Sequence, residues 1–450
     1  MRLIFSFIFL FCFHGCVMAQ NPEYKASIDS FLTYLKKENA FSGRVTLQKF
    51  DKEIYSGNYS LFSKGTNAYK VGSVTKVFTA MIVYQLMDEK QLSADTKLSK
   101  FFPGIRNADE ITIANLLSHT SGIYNVTTVD DYYASRAKYY SRSDIVDLIN
   151  RHSPAFKPNA DQSYSNSNYI LLGFIIEDVT KKSYEENVQE RFQQKMKLTG
   201  TYCETSGKKY PARESSYLFN GEEWKEDVDS DPSLPFAAGA MVSTTEDLCS
   251  MMFQLAYKNC LSDSSFSMMK RLRGKRMGHG LFKAPFFDKT GWGHNGRIDE
   301  FRSFVLYFPE DSLILALTSN GMRVDLNQVV LGVLSCYYGK KQAYPVIPKA
   351  VAIGPPTNLF TGIYKAKVFR FITVAKLRIT EAGKDHLYMS QALGPNETEK
   401  GLLVRKSEYV FYSEQAGGDL EFRLNKKGKV KGFIIQQGKI KIRCKKIKRQ

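Results

Sequence analysis

Val71-Gly72-Ser73-Val74-Thr75-Lys76-Val77-Phe78-Thr79-Ala80 places a serine and a lysine three residues apart at the start of an apolar run. Residues at i and i+3 share one face of a helix, so the Ser73 hydroxyl and the Lys76 amine can come within hydrogen-bonding reach. A serine hydroxyl is a weak nucleophile and needs an adjacent base. A lysine shielded from water can lose its proton and become that base. The unpaired N–H groups of a helix start favour developing negative charge close by. From Val74 to Met87 the chain is apolar nearly all round, the pattern of a helix buried inside a sizeable domain. A lysine at the start of such a helix is expensive unless it has a chemical role.

Two further segments fit a nucleophile at Ser73. Tyr164-Ser165-Asn166 lies in a polar loop before the apolar run Ile170–Ile176, and His294-Asn295-Gly296 lies just before the strand-like Phe301–Phe308. Read alone, Tyr164 and Asn166 are ordinary turn residues, because Asn and Ser bond local backbone. Taken in order, the segments resemble the serine β-lactamase and penicillin-binding-protein superfamily. The resemblance is to its class C-like branch of esterases, D-amino-acid peptidases and β-lactamases, whose motifs run S-x-x-K, Y-x-N, then K-T-G or H-x-G. Leu116-Leu117-Ser118-His119-Thr120-Ser121-Gly122 and Ala238-Gly239-Ala240-Met241-Val242-Ser243-Thr244 with Asp247 resemble two further segments of that branch. The likeness covers roughly residues 25 to 340.

Lys289-Thr290-Gly291 spells K-T-G literally, five residues before His294. In the branch, the third motif begins seven residues before an aromatic expected on the same strand. Counting back seven from Phe301 reaches His294. An offset of five also puts Lys289 on the opposite strand face, about 16 Å away along the chain. Lys289 is therefore read as a decoy. His119 is read as a structural hydrogen-bonder under the cleft, and His152, His279 and His386 as structural or exposed.

The resemblance implies acyl transfer. Ser73 attacks a carbonyl while Lys76 and Tyr164 share the proton shuttle. Asn166 orients Lys76 and the substrate, and His294 bonds Tyr164 or a substrate carboxylate. The oxyanion sits between the backbone N–H groups of Ser73 and Arg297, with Gly296 beside them. Where relatives carry glycine this chain has Arg297 and Glu300, flanking Asp299, which bears on specificity more than on chemistry. H-x-G in place of K-T-G leans against an efficient β-lactamase. The implied partner is a small-molecule or peptide substrate, with no cofactor and no metal, since no cluster has zinc spacing. A non-catalytic cell-envelope recognition protein of the same fold is the alternative, and the intact Ser73, Lys76, Tyr164, Asn166 and His294 favour the enzyme.

Arg2, the short apolar core Leu3–Phe13 and the small-residue site Val17-Met18-Ala19 read as a signal peptide over 1–19, hence a periplasmic or secreted protein. The core falls short of the roughly 20 residues of a membrane span. Gly15-Cys16 resembles the end of a lipobox, which would put a lipid anchor at Cys16. Of the 7 cysteines, Cys12 and Cys16 fall in the leader, and those left, Cys203, Cys249, Cys260, Cys336 and Cys444, are odd in number and scattered. They read as small buried hydrophobes, leaving room for one bridge within Cys203–Cys336. The net charge of +18 is spread along the chain without a basic-aromatic motif, so nucleic acid is not an expected partner. The basic run Lys439–Lys448 reads as a strand whose charges protect a sheet edge.

The expected fold is α+β. A β-lactamase/transpeptidase-like antiparallel sheet flanked by helices, with a helical subdomain, occupies 20–343. A proline-rich linker follows over 344–357. Short alternating runs over 358–450 indicate a small all-β barrel-like domain, opened by the lipocalin-like Leu359–Tyr364. Helices are expected at Ile28–Lys37, Val74–Met87, Ile145–Arg151, Asn166–Thr180, Thr244–Ala256 and Leu326–Tyr338. Phe301–Phe308 and Leu313–Thr318 should form a hairpin.

Overall fold

The structure is a computed structural model that describes residues 23–128, 135–274, 276–341, 343–350, 354–368, 372–383, 385–391, 401–413, 416–437 and 440–447. The expected leader over 1–19, with Cys16, lies outside them.

Six principal helices carry the first 340 residues: α1 (Tyr24–Lys37), α2 (Thr75–Asp88), α3 (Arg142–Asn150), α4 (Asn166–Thr180), α5 (Thr245–Tyr257) and α6 (Leu326–Tyr337). Strands β1 (Phe41–Lys49) and β2 (Lys52–Asn58) come first. The short strands β3 (Tyr69–Lys70), β4 (Tyr202–Cys203), β5 (Tyr217–Phe219), β6 (Trp224–Glu226) and β7 (Met241–Ser243) follow. Strands β8 (Phe282–Phe286), β9 (Lys289–Ile298), β10 (Phe301–Phe308) and β11 (Leu313–Met322) complete the main sheet. Its order is β2-β1-β11-β10-β9-β8, and every neighbouring pair is antiparallel.

Helices α1 and α6 pack on one sheet face through Phe31, Leu32, Val333 and Leu334 against Leu315, Leu317 and Phe308. Helix α5 lies on the other face, and α2 and α4 share one core with Val305, Ile314 and Ala316. Helix α2 is buried on all sides, as its sequence demands: Val77, Phe78, Met81, Ile82, Val83 and Leu86 have no solvent exposure. Burying six such side chains contributes on the order of 10 kcal/mol. That is enough to hold Lys76, itself fully buried, out of water at the helix start.

The second unit is a closed antiparallel barrel of eight strands: β12 (Gly362–Val368), β13 (Ile372–Gly383), β14 (His386–Gln391), β15 (Gly401–Ser407), β16 (Val410–Ser413), β17 (Gly418–Leu424), β18 (Val430–Gln437) and β19 (Ile440–Lys446). Phe360, Tyr364, Leu403, Phe411, Leu420 and Phe433 fill it. Two expectations need correction here. The basic run is not an edge, because β19 pairs with β18 on one side and β12 on the other, although Lys441, Arg443 and Lys445 do face water. His294-Asn295-Gly296 does not share a strand with Phe301. It lies within β9, which turns through Asp299-Glu300 into β10, so His294 and Phe301 sit on neighbouring strands. The five cysteines of the described residues are all free, and none of the described helices is long and apolar enough to cross a membrane.

Candidate active site

Ser73 sits in a single 3-10 turn, Gly72–Val74, that leads into α2. Its hydroxyl meets two groups, Lys76 Nζ at 3.1 Å and the Tyr164 hydroxyl, which donates to it at 2.9 Å. Lys76 comes from the first turn of α2. Tyr164 precedes α4, and Asn166 is the first residue of that helix. Lys76 Nζ also donates to Asn166 Oδ1 at 2.6 Å and to the Ala238 carbonyl at 2.7 Å. Asn166 is held in turn by its Nδ2, which donates to Thr127 Oγ1 at 2.7 Å.

These partners set the chemistry of Lys76. Burial lowers its pKa well below the ordinary lysine value, because a charged amine loses its water. A neutral amine has two N–H groups and one lone pair. The carbonyl oxygens of Asn166 and Ala238 can only accept, so they take the two N–H groups. The lone pair is left for the Ser73 proton. Tyr164 is affected in the opposite sense: burial raises its pKa, the Ser73 contact opposing weakly, so the phenol stays protonated and donates.

Beneath Tyr164 lies His119, ring centroids 4.6 Å apart, with Nδ1 accepting the Ser165 N–H at 3.2 Å. It is a support and does not touch Ser73, in line with its sequence reading. His294 is buried between Phe282 (4.3 Å, stacked) and Tyr164 (6.3 Å between centroids). Burial, with the nearby Lys76, lowers its pKa to about 3, so the ring is neutral. Nδ1 faces the Asn295 carbonyl, an acceptor, and therefore carries the proton. Nε2 is left as an acceptor on the ring beside Tyr164.

The backbone of β9 is pressed against the nucleophile turn. Gly72 has φ +49°, and a Cβ there would lie 2.7 Å from the Arg297 carbonyl carbon and 2.8 Å from its nitrogen. A Cβ on Gly296 would fall 1.9 Å from the Val71 carbonyl oxygen, which also accepts from Ser303 Oγ at 2.6 Å. Two glycines thus bring the Arg297 peptide alongside Ser73. A cleft of about 160 Å³ opens above them, lined by Ser73, Thr127, Asn166, Ala238, Arg297 and Asp299 among others.

Three segments with the spacing of one motif set meet here: the Ser73–Lys76 turn, Tyr164 with Asn166, and the β9 backbone at Gly296 and Arg297. The family model described as β-lactamase matches residues 63–329. The chain belongs to the β-lactamase family. It is a serine hydrolase of that fold. It is 25% identical over 316 residues to a teichoic acid D-alanine hydrolase of Staphylococcus aureus, covering 67% of this chain and 75% of that one. Among solved structures it resembles a D-stereospecific amidohydrolase from a Streptomyces species, with 26% identity and TM-score 0.62 over 70% of this chain and 99% of the other. A penicillin-binding protein homologue from Pyrococcus abyssi, octameric, shares the fold over 93% of this chain and 99% of its own, with TM-score 0.61 and 19% identity.

In this β-lactamase family member, Ser73, Asn166 and Arg297 of the seven residues singled out from sequence line the cleft, Lys76 and Tyr164 bond to Ser73, and His294 and Gly296 lie on β9 with Arg297. Three contributors were not legible as individual residues. Ala238 acts through its carbonyl, so its side chain carries no signal. Thr127 is an ordinary hydroxyl until Asn166 is placed beside it. Asp299, at φ +50° in the β9–β10 turn, looked like a cleft-edge acid. Its carboxylate instead turns inward to Lys70 Nζ (3.1 Å) and the Ser230 N–H (3.0 Å), pinning the turn behind Arg297. Lys289 is remote from Ser73: it pairs with Asp311 and lies over the Tyr338 ring at 5.2 Å.

Proposed function

We propose that this protein hydrolyses an ester or amide bond of a D-amino acyl group through an acyl-enzyme on Ser73. The observation that carries the reading is the Lys76 amine, buried, with two carbonyl oxygens and the Ser73 hydroxyl as its neighbours. Lys76 takes the Ser73 proton as Oγ bonds to the carbonyl carbon. The oxyanion is held by the N–H groups of Ser73 and Arg297. Collapse breaks the bond to the leaving oxygen or nitrogen, which takes a proton delivered through Lys76 and the Tyr164 hydroxyl. Water then repeats the sequence to release the acid and free Ser73. The D-amino acyl class is supported by the relatives, named for D-alanine and D-stereospecific amide hydrolysis. Peptide or β-lactam bonds are the competing substrates within the same chemistry. Asn166, His294, Gly296 and Arg297 are assigned to substrate binding and positioning.

The leader-like 1–19 supports export, with a lipid anchor at Cys16 as a variant of that reading. The division into a hydrolase unit over 20–343, a linker over 344–357 and a barrel over 358–450 belongs to the same proposal. The test is intact mass after exposure to a fluorophosphonate and to a penicillin, with D-alanyl ester and amide turnover alongside. Ser73-dependent adducts and turnover are expected, and Ser73→Ala should lose roughly 10³-fold or more in kcat while staying folded. Stoichiometric ligand retention with no turnover would instead establish a recognition protein.

A further inference from the structure

A second cavity, of about 340 Å³, adjoins the cleft and shares Arg297 with it. One wall is the β9–β10 hairpin with Arg297, Glu300 and Arg302, and another is the end of β11 with Arg323. The remaining wall is supplied by the barrel through Tyr388, Leu402 and Tyr412. The barrel is tied to this place: the Tyr388 hydroxyl donates to the Phe219 carbonyl at 3.2 Å, and His386 packs against Gly221.

The charges facing the cavity do not balance. Glu300 serves both Arg302 (3.2 Å) and Arg297 (3.6 Å). Asp325 is turned to the start of α6, where it accepts the Asn327 N–H at 2.7 Å. Arg323 is left over. Its guanidinium lies over the Phe219 ring at 4.0 Å and donates weakly to the Glu38 carbonyl at 3.4 Å. Among the described residues no carboxylate is within ion-pair distance of it. A planar fork of donors, stacked and without an acid, matches an oxyanion in two-point geometry.

Resting on the hydrolase reading above, we propose that this cavity binds an anionic group, phosphate or carboxylate, on the part of the substrate beyond the scissile bond. Arg323 is the anchor and the barrel is the closing wall. The substrate would run from Ser73 past Arg297 into a space that neither unit makes alone. The barrel thereby acts in specificity, which gives a function to a domain none of whose described residues lines the Ser73 cleft.

The experiment uses the full chain and three esters of D-alanine: with methanol, with glycerol 1-phosphate and with lactate. The readout is kcat/KM of each anionic ester relative to the methyl ester, in the wild type and in Arg323→Gln, Arg323→Lys and Leu402→Trp. The wild type should prefer an anionic ester, with the preference eroded by salt. Arg323→Gln and the cavity-filling Leu402→Trp should each cut the preference roughly tenfold, and Arg323→Lys should recover part of it. Preference for the glycerol phosphate ester alone assigns the site to phosphate, and for the lactate ester alone to carboxylate. An unchanged ratio in both Arg323→Gln and Leu402→Trp overturns the proposal. Should the wild type hydrolyse none of the esters, the hydrolase reading fails first. Calorimetric binding of glycerol 1-phosphate and of lactate then decides the cavity: Arg323-dependent binding of either sustains it, and its absence removes it.

Discussion

Lys289 Nζ lies 2.8 Å from the Asp311 carboxylate, on the same strand as His294 but turned to the α6 side of the sheet. A literal K-T-G has been recruited here to join β9 to the β10–β11 turn. Lys289→Ala should leave kcat/KM for an activated ester near the wild-type value. It should lower stability by about 1–3 kcal/mol, because Asp311 loses its cation in a partly buried setting. His294→Ala should reduce kcat/KM roughly tenfold or more. Urea unfolding and ester kinetics on both variants check the pair, and the reverse pattern would mean that Lys289 is the working residue.

The acid limb of the rate profile should belong to Lys76. The neutral amine is the active form, so kcat/KM should rise with pH through a pKa well below the ordinary lysine value. Tyr164, shifted upward, should add no limb in the neutral range. Lys76→Arg keeps the charge, cannot give up its proton, and should be inactive at every pH. A profile that stays low at neutral pH and rises only through the ordinary lysine value of about 10.4 would remove Lys76 as the base.

Three buried histidines make the fold acid-sensitive. His294 and His279 are lowered by burial to about 3 and about 4, and His119 lies well below its ordinary value for the same reason. Below pH 6.5 the unfolded chain binds protons that the folded chain refuses, so stability falls as pH drops from 6.5 toward 3. For His294 alone the loss at pH 5 is on the order of 2 kcal/mol. Denaturant titrations at pH 7 and pH 5 should show it, and His294→Gln should flatten the difference.

Gly72→Ala should be among the most damaging small changes near the site. The backbone conformation alone costs about 1–3 kcal/mol with a side chain. The new methyl would also meet the Arg297 peptide at 2.7 Å. Pushing that peptide away opens the oxyanion site, so kcat should fall further than stability explains. A thermally weakened but fully active variant would show that β9 need not be this close.

The legible parts of this chain were those with one local cause. Helix α4 begins at Asn166 and ends at Thr180, and β10 runs Phe301–Phe308, both as their periodicity indicates. The site residues were legible because Ser73 and Lys76 are helical neighbours and because the remaining motifs occur in family order. The end of β9 was misread: His294 and Phe301 were expected on one strand, whereas β9, which holds Gly291, Gly293 and Gly296, turns at Asp299-Glu300. Those glycines are there for close approach, to Leu306, to the Val305 carbonyl and to Val71. Arg323 and the barrel wall are about 250 residues from Ser73 or on a different unit. No local pattern connects them; only the fold does.

The centre of the main sheet joins two distant parts of the chain. Phe41 is paired with Met322 and Lys49 with Leu313. During synthesis at about 5–20 residues per second, β1 therefore waits on the order of tens of seconds for its partner. Helix α2, with Ser73 and Lys76 at its head, emerges early and gains α4 as a packing partner once Thr180 has been made, well before β9 arrives. The nascent chain thus brings Ser73 and Lys76 together early, but the cleft wall that Arg297 supplies is added 224 residues after Ser73.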